Sequence, residues 1–342
     1  MNDKPKAYIA GMGMITPVGF NTEMTVASVR AGINRYQDTN RLNGRFDQIK
    51  MALVPDDALP RLSDKLVNTM GITSRQSRML CLADPAIREA LNTYVEPVPL
   101  YLAGPEPVPS GPGPIRSAFI EHLVVQTGLN IDIKASKVFP IGRAGVFYAV
   151  DYAFELLLST DRAFVLVGGV DSYWDGLALG LLSRDARVQT VPGEMDAFVP
   201  GEGAGFLLLT KDKRYQTVSR VLSRPGIASE NGHRYSDQPY LGDGLADAFR
   251  LAIENGFGQP IKKIYSSLNG ESFGNKEFGV AVTRSSSYLL PDFVHEHPAD
   301  CFGDLGGALG AVLLGLALKE ESGATICYGA SDNEYRGAIC VC

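Results

Sequence analysis

The chain has 342 residues, of which 45% are hydrophobic and 20% charged, a composition typical of a globular protein with a large core. The formal net charge is −6 and the lysines and arginines are scattered, which argues against nucleic-acid binding. No apolar run reaches the roughly 18 residues of a membrane span. Five cysteines without paired C-x-x-C motifs disfavour zinc; their odd number, and a first apolar run too short for a secretory leader, favour a cytoplasmic location.

Strand and helix signals alternate along the chain, a pattern typical of an α/β fold with mostly parallel sheets. In the first part we predict strands at 8–11, 98–103, 137–140, 164–167 and 206–209. We predict helices at 22–31, with Asn21 as N-cap, and at 75–91, 115–127 and 145–158. Asp84 and Pro85 are suited to begin a new helix inside the second of these. Residues 35–66 and 104–114 are predicted to be irregular.

The same alternation continues after a join near residues 211–215. Here we predict strands at 218–222, 263–268, 324–328 and 337–341, and helices at 244–255 and 306–319. We therefore divide the chain into an N-terminal half, residues 1–213, and a C-terminal half, residues 214–342. The halves share an architecture but no convincing sequence repeat.

Four segments carry the most specific motifs of the chain. They are IAGMGMITPVG at 9–19, the arginine-bearing helix at 74–91, VGGVD at 167–171 and DAFVPGEGAGFLLL at 196–209. Glycines in such strands allow a close approach to the neighbouring sheet that larger side chains would prevent. Taken together and in this order, the four segments resemble the β-ketoacyl synthases of the thiolase superfamily.

This resemblance implies a thiolase-like five-layer αβαβα fold made of two similar halves, each a sheet between helices. It also implies a dimer through the N-terminal half, either a homodimer or a heterodimer with an active ketosynthase. Acyl carrier protein is the further partner that the family suggests. We expect no cofactor.

The family's chemistry is a decarboxylative condensation, in which a cysteine at a helix N-terminus takes the acyl chain. A lowered thiol pKa makes that cysteine a nucleophile, and two histidines stabilise the developing oxyanion. Counting back from Gly168 and Gly169 places the cysteine position on Arg143, and Ala149 then falls on the family's later small residue. Arginine remains protonated in proteins and is no nucleophile.

The remaining catalytic positions of the family are also replaced. The first histidine position falls on Asn269, the second on Asp304, and the lysine five residues before the second falls on Ala299. The glycine-rich gating loop is replaced by Ala-Ser-Asp-Asn at 330–333. We therefore expect no catalytic residue, and we expect Glu271, Phe198 and Ser331 to line what remains of the pocket.

Other residues offer little substitute for the missing groups. In an extended segment His295 and His297 would face the same side, but no third ligand has a suitable spacing, so we expect no metal site. We interpret His122 and His233 as surface or packing residues and Cys301 as a buried, inert thiol.

Two alternatives describe the replaced site. In the first, Arg143 and Asp304 form a charge-assisted pair, with Asn269 hydrogen-bonded alongside, that plugs the old acyl pocket. In the second, Arg143 points to solvent and Asp304 only caps the helix that follows it.

Three functions remain open from the sequence. The first is a non-catalytic partner or scaffold in fatty-acid- or polyketide-type acyl chemistry, comparable to chain length factors. The second is an acyl- or protein-binding adaptor with a remodelled pocket. The third is an acyltransferase or ketosynthase with altered active-site residues, for which an acid and an amide would have to support proton transfer.

Overall fold

The computed structural model describes residues 4–107, 113–116, 118–191 and 193–342. The strands of the N-terminal half are β1 (Lys6–Ile15), β2 (Tyr36–Leu42), β3 (Gln48–Ala52), β4 (Leu100–Ala103), β5 (Lys137–Phe139), β6 (Phe164–Ser172) and β7 (Glu202–Thr210). Its helices are α1 (Thr22–Arg30), α2 (Asp64–Val67), α3 (Ser74–Leu91), α4 (Ala118–Thr127), α5 (Gly145–Ser159) and α6 (Gly176–Arg184).

The second half repeats this content. Its strands are β8 (Leu222–Ser223), β9 (Gly226–Ser229), β10 (Ile261–Tyr265), β11 (Leu289–Glu296), β12 (Ala324–Ala330) and β13 (Tyr335–Val341). Its helices are α7 (Asp243–Asn255), α8 (Ser272–Arg284), α9 (Ala299–Phe302) and α10 (Leu309–Leu318).

The two halves have the same sheet topology. In the first sheet the order is β5-β4-β6-β7-β1, with β4 parallel to β5 and β6, and with β7 antiparallel to β6 and β1. In the second, β11-β10-β12-β13 follows the same path and ends on β9 and β8. A short antiparallel pairing of β1 with β8 connects the sheets. The boundary that we place at residue 213 stays a prediction.

Five layers result from the placement of the helices. The central layer is formed by α5 and α10, each of which contacts strands of both sheets. The outer face of the first sheet is covered by α3 and α4, and that of the second by α7 and α8. All ten residues of α10 are buried, as expected of a helix enclosed by two sheets. The predicted αβαβα fold with two similar halves is therefore confirmed.

Several local predictions were wrong. Residues 35–66 were expected to be irregular, but they contain the β2–β3 hairpin and α2. The sequence gives little sign of β2, because the strand exposes most of its side chains and lacks apolar alternation. Pro85 begins no new helix, since α3 runs through it, and Asp84 is a buried partner of Arg88 and Gln126.

Other elements were missed or misplaced at their ends. We did not predict α6, α8 or β11; α8 buries only Glu277 and Ala281, so its apolar periodicity is weak. Of the strand predicted at 218–222, only Leu222 is in a strand, the two-residue β8. The helix predicted at 306–319 begins as a 3₁₀ turn at Gly306–Ala308. The loop predicted at 104–114 lies partly outside the described residues.

Two of the motif glycines, Gly169 and Gly205, bring their strands against the central layer rather than against the second sheet. A Cβ at Gly169 in β6 would lie 2.1 Å from the carbonyl oxygen of Gly307, at the start of α10. A Cβ at Gly205 in β7 would lie 3.0 Å from the Cβ of Ala311. Glycine at these positions therefore sets the spacing between the first sheet and the central layer.

We expect the substitution Gly169→Ala to lower the free energy of unfolding by about 2 to 3 kcal/mol, because the backbone of a packed turn must move. Gly180→Ala is the matched control, since nothing lies within 4 Å of its added Cβ. That change in α6 should be neutral or stabilising by up to about 1 kcal/mol. Urea unfolding measures both, and equal effects would contradict the packing role of Gly169.

Candidate functional site

The start of α5 places Arg143 inside the protein. A 3₁₀ turn at Gly142–Ala144 precedes the helix, and Gly142 adopts a φ of 69° that favours glycine. The Gly142 N–H donates to the Gly104 carbonyl at 3.0 Å, which fixes the turn beside the end of β4. Arg143 is only 6% exposed, so its charge requires partners within the protein.

The principal partner of Arg143 is Asp304, which lies in the loop before α10 and is completely buried. Its Oδ2 accepts hydrogen bonds from Arg143 Nε at 2.8 Å and from Arg143 Nη2. Its Oδ1 accepts from the Gly306 N–H at 2.8 Å. Asp304 thus pairs with Arg143 and also caps the following turn; the pairing of the first alternative is present, whereas the solvent-facing Arg143 of the second is wrong.

Asn269, in the loop after β10, connects Asp304 to a second carboxylate. Its Nδ2 donates to Asp304 Oδ2 at 2.8 Å and to Glu271 Oε2 at 3.2 Å. Its Oδ1 accepts from the Glu271 backbone N–H at 3.1 Å. An amide is suited to this position because it can donate to both carboxylates and accept from the backbone.

A second arginine extends the cluster. Arg187 donates to both oxygens of Glu271, at 2.7 and 2.8 Å, in a bidentate pair. It also donates to both oxygens of Asp332, at 2.7 and 3.1 Å. Arg187 is 4% exposed and Glu271 is 5% exposed, so water screens these charges only weakly.

Asp332 is shared by three arginines. Arg187 donates to both oxygens of Asp332. Arg143 Nη1 lies 3.0 Å from Asp332 Oδ1, and Arg234 Nε lies 3.5 Å from the same oxygen. Arg234 also contacts Glu271 at 3.1 Å. We call this cluster the arginine–carboxylate network; it comprises Arg143, Arg187, Arg234, Asn269, Glu271, Asp304 and Asp332.

The network keeps its charges in the folded protein. Burial alone would raise the pKa of Asp332, but the nearby Arg143 and Arg187 charges outweigh burial and lower that pKa far below its ordinary value. Burial opposes the charge of Arg143, yet Asp304 and Asp332 raise the Arg143 pKa well above its ordinary value. Both groups are therefore ionised at neutral pH.

Of the other predicted site residues, Phe198 and Ser331 lie beside this network and Ala299 lies away from it. The ring of buried Phe198 lies 5.9 Å from the Arg143 guanidinium and 5.6 Å from that of Arg187. Ser331 accepts from the Ala144 N–H at 3.1 Å and donates to the Ile141 carbonyl. Ala299 lies in α9 instead, where its carbonyl accepts from Tyr36.

The space around the network is small. One cavity of about 30 Å³ is bordered by Arg143, Asn269, Glu271, Ser331, Asp332 and Arg336. A second, of about 50 Å³, is bordered by Glu106, Arg143, Asp171, Tyr173, Tyr235 and Asp332. Each has room for a few water molecules and none for an extended acyl chain.

Glu106 joins the network from the loop after β4. Its Oε1 accepts from the Asp332 backbone N–H at 2.8 Å, and its Oε2 accepts from Asn333 Nδ2 at 3.2 Å. Burial and the Asp332 charge raise the pKa of Glu106 to about 7, against the opposing attraction of Arg143. With Glu106 protonated, three arginines face three carboxylates.

This raised pKa predicts a pH-dependent stability. In the unfolded chain Glu106 loses its proton near its ordinary pKa of 4.5, whereas the folded protein keeps it to about 7. Between these values the folded state binds more protons, so its stability falls as the pH rises. We expect Glu106 to contribute a loss of about 2 kcal/mol between pH of about 5 and 8.

The variant Glu106→Gln isolates this contribution, because the amide keeps the shape and cannot ionise. Its unfolding free energy should decline less over the same pH range than that of the wild type. Chemical unfolding at several pH values measures the difference. Parallel pH profiles for the two proteins would show that Glu106 titrates normally.

The cysteines and histidines provide no activated group. The network contains neither residue type, and burial raises the pKa of the Cys301 thiol, which disfavours the reactive thiolate. Burial, with a contribution from His297, lowers the pKa of His295 to about 4. Among the described residues, no group of three His, Cys, Asp or Glu side chains is placed to hold a metal ion.

Sequence reasoning brought together Arg143, Asn269 and Asp304, but it missed four members of the site. Arg187, Arg234 and Glu106 come from loops without apolar periodicity, and nothing in their local sequence signals a shared location. Asp332 lies in the segment expected to replace the gating loop, and this position in the family alignment was the one sign that it would lie near the site.

Solved structures share this architecture over nearly the whole chain. The ishigamide ketosynthase/chain length factor has a TM-score of 0.76 at 16% identity, covering 99% of both chains. The ketosynthase in complex with its chain length factor from Xenorhabdus doucetiae also has a TM-score of 0.76, at 13% identity and 98% coverage of both. A type II polyketide synthase ketosynthase in complex with its acyl-carrier protein has a TM-score of 0.72, at 14% identity and 99% coverage of both.

These similarities show the fold. The chain has the thiolase-like fold of ketosynthases and chain length factors, as the sequence motifs predicted. No family model matches the chain, and no curated protein matches it significantly by sequence.

Proposed function

We propose that this chain is a ketosynthase-like protein that lacks ketosynthase catalysis and acts as a partner or scaffold in polyketide- or fatty-acid-type acyl chemistry. The arginine–carboxylate network is the observation that supports the proposal. It occupies the start of α5, where the family resemblance puts the acyl nucleophile. A permanently protonated guanidinium cannot attack a thioester.

The geometry favours this role over the two alternatives. An acyl-binding adaptor needs a pocket of several hundred Å³, whereas the cavities beside Arg143 are about 30 and 50 Å³. A ketosynthase with altered residues needs a nucleophile next to a base. In the network, the acids and the amide are engaged with one another and with arginines instead.

A partner role requires a dimer surface, and we propose the free edge of β5. This strand, Lys137–Phe139, pairs with β4 on one side, and no described strand pairs with its other edge. An unpaired edge is a template for pairing with another chain. Beside it lies Tyr152, 40% exposed, whose ring is 5.2 Å from the Phe139 ring and 4.3 Å from Lys137 Nζ.

A charge introduced beside this edge tests the surface. We expect Tyr152→Glu to weaken the dimer at least tenfold, because the interface would lose a packed aromatic ring and would have to desolvate a charge. Tyr288→Glu is the matched control, since Tyr288 is 54% exposed in the other half of the protein. Sedimentation velocity over a concentration series reports both. An unchanged dimer with Tyr152→Glu would place the interface elsewhere.

We propose a heterodimer with an active ketosynthase and an acyl carrier protein as a further partner. Two of the similar structures, a ketosynthase with its chain length factor and a ketosynthase with its acyl-carrier protein, support this proposal. Co-expression with a ketosynthase from the same organism should yield a complex of equal stoichiometry. A stable homodimer that does not exchange with the ketosynthase would contradict the heterodimer.

The proposed setting is the cytoplasm, where such acyl chemistry takes place. Within the described residues, no helix is long and apolar enough to cross a membrane.

A further inference from the structure

Asp332 differs from the other carboxylates of the network in its position. It lies in the loop between β12 and β13, and its side chain is 16% exposed, compared with 5% for Glu271 and none for Asp304. It is therefore the carboxylate nearest to solvent. Three arginines surround it, so it occupies the most cationic point of the site.

The arginines hold Asp332 in the way a protein holds a carboxylate ligand. Arg187 Nη1 and Nη2 each donate to a different oxygen, at 2.7 and 3.1 Å, in the fork geometry that suits a planar carboxylate. Arg143 Nη1 adds a third hydrogen bond at 3.0 Å. Arg143 and Arg187 are themselves fixed by Asp304 and Glu271, so the arrangement does not depend on Asp332 alone.

Asp332 also borders both cavities of the site. The cavity of about 30 Å³ and the cavity of about 50 Å³ both border Arg143 and Asp332. Removing the carboxylate would therefore enlarge the polar space beside the arginines. That space suits a small ligand and remains too small for a long acyl chain.

The loop backbone is fixed independently of the Asp332 side chain. Arg336 Nη1 donates to the carbonyls of Ser331, Asn333 and Tyr335, at 2.9, 2.7 and 2.9 Å. Access to the arginines thus needs only a rotation of the Asp332 side chain toward solvent, without a movement of the loop.

We propose that Arg143, Arg187 and Arg234 form a binding site for the carboxylate of a small ligand, and that the Asp332 side chain occupies it as a built-in competitor. This inference goes beyond the partner role, because the carboxylate site depends only on the arginines and on the loop that carries Asp332. The partner role can hold if no carboxylate binds, and the carboxylate site can exist in a protein without a partner. Besides Glu271 and Asp304, which pair with these arginines, Glu106 is a further carboxyl at this point, through its contacts with the backbone of Asp332 and with Asn333.

Acetate is the probe, and Asp332→Ala is the first variant. Thermal unfolding is followed against sodium acetate, with sodium chloride at equal ionic strength as the reference for screening. We expect a saturable rise of the unfolding midpoint for Asp332→Ala. The wild type should require at least about tenfold more acetate, because its site is already occupied.

Asp332→Asn provides a second variant that keeps the shape of the side chain and should also gain acetate binding. Asp300→Ala is the control, because Asp300 is an exposed carboxylate outside the network. A phosphate series distinguishes a carboxylate site from a general anion site. As a site-specific readout, acetate should protect Arg143 and Arg187 of the variants from phenylglyoxal, as mapped by peptide mass spectrometry.

Failure of both Asp332 variants to show saturable acetate binding would overturn the proposal. So would an equal response from Asp300→Ala, or phosphate binding that matches acetate binding. None of these results would affect the co-expression result that tests the partner role.

Discussion

Asp304→Ala is expected to lower the free energy of unfolding by about 3 to 5 kcal/mol, because it leaves a buried arginine without its main counter-ion. The carboxylate accepts hydrogen bonds from Arg143, Asn269 and the Gly306 N–H. Its removal therefore breaks the ion pair between the halves and also uncaps the turn before α10. Denaturant unfolding, monitored by circular dichroism, measures the loss.

Two variants make this result specific. Asp304→Asn keeps an acceptor for the Gly306 N–H but removes the charge. Its unfolding free energy should therefore fall, but by less than that of Asp304→Ala. Asp300→Ala removes an exposed carboxylate from the preceding α9 and should change stability by less than about 1 kcal/mol. A loss below about 1 kcal/mol for Asp304→Ala would show that Arg143 is compensated by other groups or by water.

The second large effect is expected at a buried ion pair beside the site. Arg336 and Glu277 are almost completely buried, and Glu277 accepts from Arg336 Nε at 2.6 Å and from Tyr240 at 3.1 Å. Glu277→Gln leaves the Arg336 charge without a counter-ion and should cost about 3 kcal/mol or more. The loop that carries Asp332 should loosen with it, because Arg336 binds three carbonyls of that loop.

A double variant distinguishes the cost of an unpaired charge from the value of the pair. Glu277→Gln combined with Arg336→Met removes both charges, and it should lose less stability than the sum of Glu277→Gln and Arg336→Met measured singly. Glu254→Gln is the surface control, since the Arg250–Glu254 pair in α7 is exposed and should contribute less than about 1 kcal/mol. Losses that simply add in the double variant would contradict this explanation.

The sequence predicted the fold well where apolar patterns are strong. The buried runs of β6, β7, α5 and α10 come from nearly continuous apolar stretches, which is why the central layers were found. The β2–β3 hairpin and α8 were missed because they expose most of their residues. Their stability comes from tertiary contacts that a local pattern does not contain.

The candidate site was predictable only in part, for a related reason. Arg143 and Asp304 lie beside the glycine-bearing motifs at the starts of the two central helices, so register could place them. Arg187 and Arg234 reach the same point from loops that are separate in sequence. Their carboxylate partners are close only in the folded protein, and the local sequence does not show which distant residues the fold brings together.

We propose that an ionic network has replaced the acylation site in this ketosynthase-like fold. The most direct measurement is the intact mass of the protein after incubation with excess acyl- and malonyl-carrier protein, with an active ketosynthase as positive control. The network predicts an unchanged mass and no release of carbon dioxide. An acyl adduct on any residue of this chain, or decarboxylation above the rate without protein, would contradict it.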